Sequence, residues 1–185
     1  LTPVEGLAVD GTFAGTNYEL PFIGTQAGTG WKVNAELSTI PEVKLGATVW
    51  ASTDEFNPVY TDLDGNKPKS FNGHDKPNER RGVEVRANTS QAGFDLGLTV
   101  KNTSAADGSN SASSFTFTAK RVFDAVTGEY KYESADKRHT ITATTTVDTP
   151  VAKAVNLKGT VRLAEGSDLE YAADATWQAP NGLNL

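Results

Sequence analysis

Between positions 62 and 66 the chain reads Asp62-Leu-Asp64-Gly65-Asn66, with oxygen-bearing side chains at alternate positions. Calcium loops share that spacing, because a hard cation needs several oxygens converging at about 2.5 Å. The match is partial: the twelfth position from Asp62 is Gly73, where such a loop places a bidentate glutamate. Asp62, Asp64 and Asn66 are therefore a weak Ca2+ candidate, and a polar turn at the start of a loop is the plainer reading. The two histidines, His74 beside Asp75 and His139 at the head of an alternating run, lack partners at the spacing of a zinc site or a Ser-His-Asp triad. They read as solvated or rim histidines, and a hydrolase on a β-scaffold would have to depend on His74 alone. Gly11, Gly15, Gly24, Gly28 and Gly30 precede no helix and no Lys-Ser/Thr pair, so they are turn and kink glycines rather than a phosphate loop. Asn88-Thr-Ser and Asn102-Thr-Ser match a glycosylation acceptor, which matters only in a secretory eukaryote. Nothing here is a catalytic constellation. The expectation is a protein that is not an enzyme and needs no cofactor.

The elements that carry these residues have a period of two. Trp31, Val33, Ala35 and Leu37 fall on one face of an extended strand, and Lys32, Asn34, Glu36 and Ser38 on the other. The pattern recurs in Val43 to Ala51, Val83 to Ala87, Phe94 to Val100, Phe115 to Ala119, Val155 to Leu163 and Leu169 to Ala179. No apolar-face position in these runs is charged. The opposite face carries Lys32, Lys44, Arg86, Lys101, Lys120, Lys158 and Arg162 against Glu36, Glu84, Asp95, Glu170 and Asp174. The acids Glu170 and Asp174 share a strand face, and Arg162 and Lys158 on the preceding strand offer cross-strand ion pairs. Looser runs at Leu7 to Phe13 and His139 to Val147, the second backed by threonines at 140, 142, 144 and 146, bring the total to about nine strands without a helix.

Connections alternate in length: 16–29 long, 39–42 short, 53–81 long, 90–92 short and 102–113 long. In an antiparallel up-and-down meander this puts the long loops at one rim and the tight turns at the other. Segment 124–136 reads as either a loop or a twisted hairpin top. Asp148-Thr149-Pro150 and Glu165-Gly166-Ser167-Asp168 read as tight reversals. Residues 102–113 have no apolar anchor larger than alanine, which predicts a mobile loop. Residues 53–81, with Phe56, Pro58, Tyr60 and Phe71, suit a compact lid.

Composition narrows the class. At 185 residues the chain suits one domain over 1–185, or a fragment of a larger barrel. The absence of cysteine excludes disulfides and thiolate chemistry, and a pI near 4.9 disfavours nucleic acid as a partner. No apolar stretch reaches the roughly 18 residues of a spanning helix. The chain starts at Leu1 and contains no methionine, so it reads as processed or as a piece of a longer protein.

Two solvents are open to the apolar face: lipid, outside a transmembrane β-barrel, or a second sheet, inside a soluble β-sandwich. Strand length, loop asymmetry and the small outward residues Ala, Val and Gly favour lipid, as do Trp31, Tyr171 and Trp177 within the apolar runs. Trp50 lies on the polar face, where it must line the interior or close a rim.

The hairpin Val155-Asn-Leu-Lys-Gly-Thr-Val-Arg-Leu, Glu-Gly-Ser-Asp, Leu169-Glu-Tyr-Ala-Ala-Asp-Ala-Thr-Trp resembles those of bacterial outer-membrane β-barrels. Its Ala/Thr/Val/Gly-rich style is similar to the large barrels of S-layer-type envelope proteins from the Deinococcus-Thermus group. The resemblance implies a long polypeptide whose C-terminal barrel sits in the outer membrane and whose N-terminal part reaches the peptidoglycan. This chain departs in lacking such an anchor and in ending Asn-Gly-Leu-Asn-Leu without a terminal aromatic. The expected function is a structural or porin-like pore in the cell envelope, passing small solutes through a lumen lined by the twelve charged residues above. Its partners are then outer-membrane lipid and other parts of the same protein or further copies. The alternative is a secreted β-sandwich, an adhesin or carbohydrate-binding module, using 53–81 for recognition.

Overall fold

A computed structural model describes residues 5–20, 24–54, 80–148 and 154–177. Its strands are β1 (Leu7–Leu20), β2 (Gly24–Leu37), β3 (Val43–Ser52), β4 (Arg81–Gln91), β5 (Phe94–Ser104), β6 (Ala112–Phe123), β7 (Val126–Glu133), β8 (Arg138–Val147), β9 (Val155–Ala164) and β10 (Glu170–Thr176). They hydrogen-bond in chain order into one antiparallel up-and-down sheet, and among the described residues no pairing joins β10 back to β1. The all-β meander expected from the period-two pattern is thus the observed architecture. Among the described residues no helix is long and apolar enough to cross a membrane, which says nothing of crossing by strands.

Two compact units divide the chain, Leu1–Ala87 with Thr99–Ser114 and Asn88–Leu98 with Phe115–Leu185. In the first, the register sets apolar against apolar: Leu7, Leu37 and Leu45 form one row, Gly11, Val33 and Val49 another, and Phe13, Trp31 and Ala51 a third. The reverse face aligns Asp10 with Asn34 and Thr48, and Thr12 with Lys32 and Trp50. A slip of one residue would turn every one of these side chains to the wrong face, so the pattern pins the register. In the second unit Phe117, Tyr132, His139 and Leu163 share a row, as do Ala119, Tyr130, Ile141, Val161 and Tyr171.

The apolar face is the exposed one. On β3, Val49 is 40% accessible, whereas its polar-face neighbours Thr48, Trp50 and Ser52 stand at 7%, 3% and 7%. On β4, Val83 and Val85 are exposed while Glu84 and Arg86 are partly covered. Trp50 is the one buried large apolar side chain among the described residues.

Three expectations need correction. Residues 16–29 are not a long link: β1 and β2 pair continuously from Leu7↔Leu37 to Leu20↔Gly24. The Gly and Thr residues that suggest a turn are held in the ladder, where alternate residues hydrogen-bond across the hairpin. Segment 124–136 contains a tenth strand, β7, entered by a tight turn at Asp124 and Ala125. Its run alternates Val126, Gly128, Tyr130 and Tyr132 with Thr127, Glu129, Lys131 and Glu133, a period-two signal carried by aromatic rather than aliphatic residues after Val126, and Tyr130 pairs with Ile141 and Tyr132 with His139. Segment 102–113 shrinks to a turn at 105–111 that is hydrogen-bonded rather than without internal structure: Ala105 N–H donates to Ser109 O at 2.9 Å, Gly108 N–H to Ala105 O at 3.0 Å, and Ser109 N–H to Asp107 Oδ1 at 2.8 Å.

The apolar face also admits charge at its edges. Extending the strands puts Arg81 in step with Val83, and Arg121 in step with Phe117 and Phe123.

Candidate functional site

The most structured part of the polar face lies in the first unit, around Trp50. Its indole extends from β3 onto Gly82 of β4, where an added Cβ would stand 2.2 Å from Cζ2 and 2.6 Å from Cη2. Only glycine leaves room for the ring. The Lys101 ammonium of β5 lies 5.8 Å from the indole centroid, within cation–π range. Beside the indole opens a cleft of 290 Å³, lined by Asp10, Asn34, Glu36, Thr48, Trp50, Glu84, Arg86 and Lys101.

A hydrogen-bonded chain crosses four strands at this cleft. Arg86 Nη2 donates to Thr48 Oγ1 at 3.3 Å, Thr48 Oγ1 to Asn34 Oδ1 at 3.0 Å, and Asn34 Nδ2 to Asp10 Oδ2 at 2.7 Å. Arg86 Nε is 3.5 Å from Glu84 Oε1, an ion pair too long for a hydrogen bond, and Nε is covered without one. The cleft therefore presents both signs of charge, fixed by neighbours on adjacent strands. It offers sites for water or a small polar solute, but no nucleophile set against a base.

In the second unit the polar face carries ion pairs within and between strands. Glu133 takes Lys131 Nζ at 2.8 Å on one oxygen and Arg138 Nη2 and Nε at 2.8 and 3.2 Å on the other, and Arg138 Nη2 also reaches Asp136 Oδ2 at 3.2 Å. Arg162 stands opposite Glu170, and Lys158 opposite Asp174. The threonines of β8 face them from the other side, Thr140 against Arg162 and Thr144 against Lys158, while Thr146 Oγ1 donates to Asn156 Oδ1 at 2.7 Å.

Of the charged residues expected to line a lumen, Glu36, Glu84, Arg86 and Lys101 come together at the cleft, and Lys32 pairs with Trp50 at its margin. Lys44 lies exposed at the start of β3 and does not join them. Asp95 accepts from Ser90 Oγ at 2.6 Å, and Lys120 stands opposite Glu129. Sequence reading overlooked Asp10, Glu129, Lys131, Glu133 and Arg138. Asp10 was legible from its step with Ala8 and Thr12, and Arg138 from its step with the threonines of β8, whereas Glu129, Lys131 and Glu133 depended on recognising β7. His139 sits at the rim of β8, its Nδ1 2.8 Å from the Tyr130 hydroxyl and its ring 4.7 Å from that of Tyr132.

The calcium candidate Asp62, Asp64 and Asn66, together with His74 and the aromatic residues Phe56, Tyr60 and Phe71, lies outside the described residues. Among those described, no group of three or more His, Cys, Asp or Glu side chains converges to hold a metal ion. Comparison with known protein families finds no family model that matches this chain, and comparison with curated proteins finds no significantly similar sequence.

Proposed function

We propose that this chain is part of a bacterial outer-membrane β-barrel, a structural and pore-forming segment of a cell-envelope protein of the S-layer or porin-like kind, with no enzymatic role. One observation carries the reading. The apolar positions Val9, Val33, Val49, Val85, Val161 and Ile141 are accessible, and on β3 and β4 the polar face behind them is the more covered one, with Thr48, Trp50 and Ser52 buried and Glu84 and Arg86 half-buried. A soluble sandwich reverses that arrangement, because its apolar face is what the second sheet covers. Lipid makes an exposed apolar face favourable, and a watered lumen solvates Lys32, Glu84, Arg86 and Arg162.

Aromatic placement in the second unit supports the same solvent. Phe115, Tyr132 and His139 cluster at one end of their strands, with ring centroids 5.4 Å apart for Phe115 and Tyr132. Phe123 marks the other end of β6. Eight residues separate Phe115 from Phe123, about 27 Å along a strand and about 21 Å of height at a 40° tilt, close to the roughly 25 Å apolar band between aromatic girdles. Strands from the rest of the same protein, or from a second copy, complete the barrel at the edges of β1 and β10, and the lumen passes small solutes when the total exceeds about a dozen strands.

The test is refolding with and without membrane. In vesicles of phosphatidylcholine and phosphatidylglycerol the chain is expected to gain β-structure and protease resistance, and to aggregate when detergent or lipid is withdrawn. A monomeric, folded chain in plain buffer would overturn the proposal.

A further inference from the structure

Arg121 is the one cation embedded within the aromatic outward face of the second unit. It follows Phe117 and Ala119 on that face of β6 and precedes Phe123, the last residue of the strand. Its guanidinium lies 4.6 Å from the ring centroid of Phe94 on β5 and 5.0 Å from that of Phe123. Among the described residues no carboxylate pairs with it. Two glycines border the seat: Gly93, at φ +78°, where a Cβ would stand in ordinary contact with Arg121 Nε at 3.9 Å, and Gly128, opposite Arg121 on β7, where a Cβ would stand in ordinary contact with the Phe123 ring at 3.5 Å. The turn Ala92-Gly93 has both φ angles positive, the type I′ geometry that closes a two-residue hairpin. The guanidinium thus leans towards this turn, along the face and away from the strand centres.

We propose that Arg121, held between Phe94 and Phe123, is a binding site for the phosphate of an anionic lipid headgroup at the short-turn rim. The proposal rests on the barrel reading above. An arginine on a lipid-facing surface escapes the hydrocarbon by extending its head to the interface, where phosphate oxygens satisfy its donors in pairs. Stacking against Phe94 and Phe123 fixes the plane of the fork and leaves its edge open to an acceptor. The apolar surroundings select the source: Val126 and Phe123 are exposed beside the guanidinium and suit acyl chains, which a free phosphate ion lacks.

The experiment is native mass spectrometry of the chain released from phosphatidylcholine vesicles doped with phosphatidylglycerol, for wild type, Arg121→Gln and Arg121→Lys. Insertion is monitored in parallel by protease protection, and folding by circular dichroism. Wild type is expected to retain one phosphatidylglycerol, Arg121→Gln to lose it by at least about fivefold, and Arg121→Lys to lose it in part, since a lysine keeps the charge without the planar fork. Excess inorganic phosphate is expected to leave retention unchanged; displacement by it overturns the lipid as ligand. If Arg121→Gln inserts and retains phosphatidylglycerol as wild type does, the site is wrong while the barrel stands. If Arg121→Gln alone fails to insert, Arg121→Lys decides: retention at the wild-type level overturns the site and partial loss supports it. If wild type itself fails to insert, the barrel reading falls and the site falls with it.

Discussion

At the scale of the residue, the Trp50 and Gly82 pair concentrates the constraint. A methyl at position 82 meets two indole carbons and stands 2.7 Å from the Asn102 carbonyl oxygen, which belongs to backbone and cannot swing away. Gly82→Ala is therefore expected to destabilise the fold by about 1–3 kcal/mol, read as a lower midpoint of urea unfolding in detergent, and an unchanged midpoint would contradict the packing described. Asp107 gives a second test, in the turn 105–111. Hydrogen bonds from the Ser109 side chain and backbone hold its carboxyl below the ordinary 3.8. A depressed pKa stabilises the turn above the unfolded value and loses that contribution as pH falls through the folded one. Ser109→Ala is expected to raise the Asp107 titration midpoint towards 3.8, followed by NMR, with part of the depression kept because the Ser109 N–H still donates.

Among elements, the ladder Arg86, Thr48, Asn34 and Asp10 ties β4, β3, β2 and β1 across the polar face. Asn34 serves both neighbours, so Asn34→Leu removes the acceptor of the Thr48 hydroxyl, on a residue that is only 7% accessible, and leaves it the bond from Arg86 alone. The expected loss is about 1 kcal/mol, since the Asp10 end of the chain is open to solvent and can rehydrate. Strand β7 carries the same period-two signal in its own eight residues, with Tyr130 and Tyr132 in place of aliphatic side chains, and these pair with Ile141 of β8 and Phe117 of β6. In 16–29 the turn-forming residues are overridden by a ladder that runs without a break from Leu7↔Leu37 to Leu20↔Gly24.

For the whole molecule, the polar face carries both signs of charge. The sequence alone predicts a modest excess of positive charge in a lumen, from the seven basic and five acidic residues named above. Asp10 of β1, Glu129 and Glu133 of β7 join Lys131 of β7 and Arg138 of β8 on this face, and trim that excess. A weak anion preference is the expected outcome of reversal-potential measurements in planar bilayers, with Lys101→Glu shifting it towards cations. Clear cation selectivity in the unmodified chain would contradict the assignment of these faces.

The alternation of apolar and charged residues, visible in the sequence itself, determined that the chain is all-β, antiparallel and split into a charged and a mainly apolar face, because side chains alternate across a pleat wherever the strands lie. It also identified most of the residues that meet at the cleft. What it left open was which face is covered, how far each strand runs, and that Trp50, Gly82 and Arg86 meet, since those depend on registers between segments distant in sequence. Only the paired sheet decides them: accessibility and cross-strand contact are properties of neighbours, and a linear pattern names the face of a residue but not who stands beside it.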